Sequence, residues 1–132
     1  MNRETSMTTK TPLGPSGRPY SQALDVAGGK HMVFVSGQLA RADPEHAHHP
    51  GDLGRQAREI FANMDALLRE AGGSLADVVK ITAFLTTLDG YADYSAIRRE
   101  VFADALPASS TVQVSSLVTP GCLIETEAIA IL

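Results

Sequence analysis

Between Asp52 and Ala71 the apolar residues Leu53, Ala57, Ile60, Phe61, Met64, Leu67, Leu68 and Ala71 recur at steps of four, three and one. Those steps lay them along one stripe of an α-helix. Asp52 stands where an N-cap is wanted, and Gly72–Gly73 supplies a stop. The spacing therefore predicts a helix over Asp52–Ala71. A weaker stripe of Tyr94, Ile97, Val101 and Phe102 predicts a second helix over Tyr91–Ala103. Elsewhere the period is two. In "DVVKITAFLTT" the residues Val79, Ile81, Ala83 and Leu85 share a strand face, and Leu123–Leu132 alternates in the same way. Strands are also predicted at Ser21–Ala27, His31–Gln38 and Ser110–Ser116, with "AGGK" as a hairpin turn between the first two. "RADPEHAHHPG" reads as a polar loop closed by prolines.

The resulting order, ββαβαββ, is α+β: a mixed five-strand sheet with two helices on one face. Two helices leave the other face bare. Whichever way the third strand turns, Phe84 or Leu85 points into that bare face. An apolar sheet face of that size is seldom left in water, so self-association is expected, with function near the seam. Residues 1–17, rich in Thr, Ser, Pro and Gly, read as a loose N-terminal tail, and residues 18–132 as a single domain.

Composition narrows the function classes. The 132 residues carry a net charge of −4 with a pI near 5.5, so a nucleic-acid partner is not expected. No apolar run is long enough for a membrane span, and the N-terminus lacks the apolar centre of a signal peptide. A single cysteine, Cys122, forms no intrachain disulfide and fits a reducing cytoplasm.

The candidate chemistry is polar and scattered. Glu125 and Glu127 alternate along the last strand and share one face. Tyr20 offers a hydroxyl on a flat apolar body. "LPASSTVQV" brings three hydroxyls, Ser109, Ser110 and Thr111, without a charge or an adjacent base. His46, His48 and His49 sit in a loop that promises no fixed coordination geometry, so no metal and no cofactor is expected. His31 reads as structural, and Cys122 lacks an activating neighbour.

Five blocks carry a family resemblance. "RPYSQAL", "VFVSGQLA", "NMDALLREAGGSLADVVKITAFLTTLDGYADY", "LPASSTVQVSSL" and "IETEAIAIL" resemble successive blocks of the reactive-intermediate deaminase family (RidA, YjgF-like), also labelled endoribonuclease L-PSP. The likeness runs from Arg18 to the C-terminus. It implies a chorismate-mutase-like α+β fold and a homotrimer that binds a small-molecule ligand in clefts between subunits. Many such proteins hydrolyse 2-imino or enamine acids to 2-keto acids and ammonia. The resemblance gives site roles to Tyr20, to Ser36 and Gly37 of the "SGQ" turn, to Thr111, and to Glu125 as the residue that holds the attacking water. Where relatives carry an arginine that clamps the substrate carboxylate, this chain has Ser109.

Losing one partner of a buried charge pair costs about 2–5 kcal/mol, or at least about 30-fold in binding. The substitution therefore argues against a standard 2-imino acid and toward a neutral or cationic carbonyl-like or imine compound. Arg18, Arg41, Arg98 and Arg99 are candidates to replace the clamp, Arg18 first because it lies two residues before Tyr20. Two other functions stay open: a binding or sensing module on the same scaffold without turnover, and, lowest, an endoribonuclease.

Overall fold

The computed structural model describes residues 8–132. Helix α1 spans Leu53–Glu70. Asp52 caps it from an extended conformation, accepting the Arg55 backbone N–H at 3.1 Å. Gly72 ends it at φ +87°, where the Gly72 and Gly73 N–H groups return to the Arg69 and Leu68 carbonyls. The stripe buries Leu53, Ala57, Ile60, Phe61, Met64 and Leu68, while Leu67 stays 41% exposed.

The main sheet contains β3 (Met32–Gln38), β6 (Val78–Leu85), β7 (Ala108–Gln113) and β8 (Ile124–Ile131), in the order β3-β8-β6-β7. β8 runs antiparallel to both neighbours, whereas β6 and β7 are parallel. Their connection crosses through helix α2 (Tyr91–Phe102), since parallel strands need a long return. A short pair, β4 (Arg41–Asp43) and β5 (His46–Ala47), folds the histidine loop back on itself.

The α+β class is as the sequence pattern predicts, but the sheet has four strands rather than five. The missing strand is β2 (Ala23–Ala27). It pairs antiparallel with β1 (Thr9–Leu13), which arises inside the segment expected as a loose tail; residues 1–7 lie outside the described residues. "AGGK" is consequently not a hairpin turn between β2 and β3. Gly28 and Gly29 take positive φ and lead the chain to the sheet edge, where Lys30 and His31 donate to the Leu132 carbonyl. β7 also starts earlier than expected, at Ala108, so Ser109 belongs to the strand.

Register sorts the side chains. Ile81 pairs with Ser109 and Ala128, and Ala83 with Thr111 and Thr126, all toward the helices. Thr82 pairs with Ser110 and Glu127, and Phe84 with Val112 and Glu125, on the opposite face. An irregularity between Val78 and Lys80 puts Val78, rather than the expected Val79, in the core. The core centres on Phe61, edge-on to Phe102 at 5.4 Å and stacked near Tyr94 at 6.3 Å. On the bare face Met32 and Phe34 remain 59% and 69% exposed.

One polar side chain on α1 is wholly buried. The Gln56 amide donates to the carbonyls of His48, His49 and Gly121 at 2.9–3.1 Å and accepts the Leu123 N–H at 2.8 Å. It thereby ties the histidine loop to the start of β8. Gln56→Leu is expected to lower the free energy of unfolding by about 2 kcal/mol or more, because several buried backbone groups lose their partner at once. Urea denaturation monitored by circular dichroism checks this.

Candidate functional site

Helix α2 turns its Tyr94–Arg98 edge inward, and residues four apart on a helix lie side by side. Arg98 is 1% exposed. Its guanidinium carbon lies 5.1 Å from the Tyr94 ring centroid and 5.3 Å from that of Tyr20, so it interacts with two aromatic rings. Its N–H groups donate to the Pro19 carbonyl at 3.2 Å, Ser109 Oγ at 2.9 Å and Ser95 Oγ at 3.5 Å.

Tyr20 reaches this place because its neighbour Ser21 docks on the start of β7. The Ser21 N–H donates to the Pro107 carbonyl and its hydroxyl to the Leu106 carbonyl. The result is an open cavity of about 490 Å³ lined by Tyr20, Leu88, Tyr91, Arg98, Ser109 and Thr111. Behind it, burial pushes the Tyr94 hydroxyl's pKa up, opposed by the Arg98 charge and by Ser109. Those two groups are close enough to act on the hydroxyl, yet its oxygen has no partner at hydrogen-bond geometry among the described residues.

A second cluster lies across the sheet. The pairing of β3 with β8 shifts between Val35 and Gln38, leaving Ser36 and Gly37 exposed at the irregularity. The Ser36 carbonyl accepts from Gln38 Nε2 at 3.1 Å. A Cβ at Gly37 would stand 2.1 Å from Glu125 Oε2, so the carboxylate occupies the space that glycine leaves. Glu127, two residues along, is exposed on the same face.

Of the sequence-predicted residues, the fold thus joins Tyr20, Ser109 and Thr111 in one place and Ser36, Gly37 and Glu125 in another. Within one chain the two clusters belong to opposite sheet faces, as the register requires. Arg18 is exposed and lines a different hollow of about 300 Å³ beside the β1–β2 hairpin, a hollow that also touches Tyr20. Arg41 donates to Thr119 Oγ1, and Arg99 to the Gly17 carbonyl. Tyr94, Tyr91 and Leu88 were not singled out by sequence as site residues. The available signal was that Arg98 follows Ile97 and sits one turn beyond Tyr94 on the inward side of a helix.

The remaining candidates are otherwise engaged. His46 Nδ1 meets Asp43 at 2.8 Å, and the Glu45 backbone N–H together with His46 holds the Asp43 carboxyl below the usual range. His48 Nδ1 meets Glu59 at 2.8 Å. Among the described residues no group of three or more His, Cys, Asp or Glu side chains converges on a metal position. His31 is exposed. Cys122 is buried with its thiol turned to the Ala40 carbonyl at 3.6 Å, and burial pushes the thiol pKa up, against a nucleophilic role.

Nearly the whole chain is similar to known proteins. The family described as Endoribonuclease L-PSP matches residues 11–132. A RutC family protein of Pyrococcus abyssi is 41% identical, covering 98% of either chain. A protein of Dermatophagoides farinae named 2-iminobutanoate/2-iminopropanoate deaminase is 32% identical, over 81% of this chain and 82% of its own length. Among solved structures, a Rid-family protein of unknown function from Yersinia pestis superposes with a TM-score of 0.81 at 26% identity, covering 93% of this chain and 98% of that one.

Gly37→Ala is expected to evict the Glu125 carboxylate while leaving the fold nearly as stable. The group in the way is the free end of a flexible side chain, and such surface changes stay within about 0.5 kcal/mol. A crystal structure of the variant and its thermal melt check both halves.

Proposed function

The chain belongs to the endoribonuclease L-PSP (RidA/YjgF) family, and on that footing we propose that it hydrolyses reactive imines or enamines to a carbonyl compound and ammonia, at a cleft completed by a second copy of the chain. The observation that carries the reading is the Glu125 carboxylate. It is half-buried against Gly37 on an apolar sheet face, with no hydrogen bond or ion pair to any described residue. A carboxylate held in place but left unpaired is available to a water molecule. The relative named 2-iminobutanoate/2-iminopropanoate deaminase supports the same chemistry.

The steps follow from that group. Glu125 takes a proton from water as the water oxygen adds to the C=N carbon and passes it to the nitrogen, giving a neutral carbinolamine. It then takes the hydroxyl proton and delivers it to the nitrogen as the C–N bond breaks, leaving a carbonyl compound and ammonia. General acid–base help of this kind contributes about 10²–10⁴-fold. Tyr20 and the hydroxyls of Ser109 and Thr111 line the cavity that would receive the rest of the substrate.

The second copy answers two facts together. The carboxylate and the cavity are on opposite sides of one sheet, and Met32, Phe34 and Val112 leave apolar surface on the carboxylate side. A closed ring of three copies would bring each Glu125 to a neighbour's Tyr20 cavity, because a heterologous interface joins unlike faces.

The test uses 2-iminobutanoate generated in situ. Wild type is expected to speed release of 2-oxobutanoate, and Glu125→Gln to lose about 10²–10⁴-fold of that rate. Phe34→Glu is expected to yield monomers by sedimentation velocity, without activity. Full activity in a monomeric Phe34→Glu protein would refute the shared cleft. A ligand bound without turnover of any imine would make the chain a binding module instead, and RNA cleavage surviving Glu125→Gln would restore the nuclease reading.

A further inference from the structure

The hollow of about 300 Å³ beside the β1–β2 hairpin is a second place where a small molecule fits. It shares Tyr20 with the cavity of Arg98, Ser109 and Thr111, and no other lining residue. Pro12, Leu13, Leu24 and Leu106 give it apolar walls, and Leu13 is left 48% exposed. Three charged side chains line it: Lys10, Arg18 and Asp104. Lys10 spends its ammonium elsewhere, donating to the Ala76 carbonyl. Arg18 and Asp104 are exposed, and their side chains make no hydrogen bond or ion pair with each other or with any other described residue.

The backbone fixes where both charges stand. The carbonyls on either side of Arg18 are tied to α2: that of Gly17 accepts from Arg99 Nη2 at 3.3 Å, and that of Pro19 from Arg98 Nε at 3.2 Å. Asp104 follows Ala103, which ends α2 at φ +45°, a left-handed conformation that is costly for a residue with a Cβ. The Ala103 and Ala105 N–H groups close that turn on the Arg99 and Phe102 carbonyls. Strain of this kind persists only where the surrounding structure imposes it, and it gathers at ligand sites.

We propose that this hollow binds a free α-amino acid with an apolar side chain, its carboxylate on Arg18 and its ammonium on Asp104. Opposite charges that line one hollow without pairing suit a ligand that carries both signs. A plain anion would meet the Asp104 carboxylate, and a plain cation the Arg18 guanidinium. An α-amino acid holds its two charges on one carbon, which leaves the rest of the molecule to cover the leucine walls. The binding goes beyond imine hydrolysis and does not depend on it, since neither Arg18 nor Asp104 lines the other cavity.

The test is calorimetry on the full chain with four probes: L-leucine, 4-methylpentanoate, which lacks the ammonium, 3-methylbutylamine, which lacks the carboxylate, and 6-aminohexanoate, an isomer of leucine with its charges far apart. Wild type is expected to bind leucine about tenfold or more tightly than each of the other three, the worth of one charge-assisted hydrogen bond. Arg18→Gln should make leucine and 3-methylbutylamine bind alike. Asp104→Asn should make leucine and 4-methylpentanoate bind alike. Both side chains are exposed and unpaired, so both variants should melt as wild type does. Absence of leucine binding, equal binding of leucine and either singly charged probe to wild type, or tighter binding of 6-aminohexanoate overturns the proposal. So does a preference that survives both substitutions, which would seat the ligand elsewhere. Turnover is read separately: Glu125→Gln should keep the leucine site and lose imine hydrolysis, so either reading can fail while the other stands.

Discussion

The pairing of β6 between β7 and β8 governs where every other group in this molecule ends up. Ile81, Ala83 and Leu85 are fully buried under the helices. Because a strand alternates strictly, that burial obliges Thr82 and Phe84, with their partners Glu125, Glu127, Ser110 and Val112, to face away. A slip of one residue would put both glutamates in the core and the isoleucines of β8 in reverse, an exchange no small domain tolerates. Hydrophobic burial thus decides which polar groups can meet. Ser109 and Thr111 go to the helix side, Glu125 to the other, and no rearrangement within the sheet joins them.

The two helices then differ in how they treat a buried polar side chain. On α1, Gln56 spends all its hydrogen-bonding capacity on backbone groups of the histidine loop and of the turn before β8. Such a fully satisfied group stiffens the structure around it and leaves nothing for a ligand. On α2, Arg98 is equally buried but lies beside a cavity, has only neutral partners, and sits next to a tyrosine hydroxyl that is itself unpartnered. Closed networks hold a fold together; an open one calls for an explanation, which the proposed cleft supplies.

Much of this is legible in the chain, for a physical reason in each case. α1 announces itself because three signals agree: a capping Asp52, a stripe, and a glycine stop. β8 does so because its alternation is strong on both faces. The β1–β2 hairpin does not, since Thr9–Leu13 has the composition of a tail and Pro12 argues against a central strand, while tolerating an edge one. The glycine pair at 28–29 then looks like a tight turn, although β2 finds its partner earlier in the chain. At the site, sequence proximity sets Arg18 beside Tyr20, whereas in space Arg98 is the arginine that lines the cavity with Tyr20, Ser109 and Thr111. The contact of Arg98 with Pro19 spans 79 positions, a distance that no local pattern reports.

That separation has a consequence for the proposed chemistry. If the carboxylate that moves the proton and the cavity that holds the substrate meet only across an interface, a lone chain is unable to catalyse. The same surface would then drive the proposed association, since Phe34 pairs with Ile129 on β8 within the face that carries Glu125. Apolar burial in the assembly would also thin the water around Glu125, strengthening every charge interaction in the cleft and leaving few water molecules to compete with the one that attacks. Assembly and activity would then draw on one patch of surface, so a substitution that loosens the interface would lower the rate even where it touches no reacting atom.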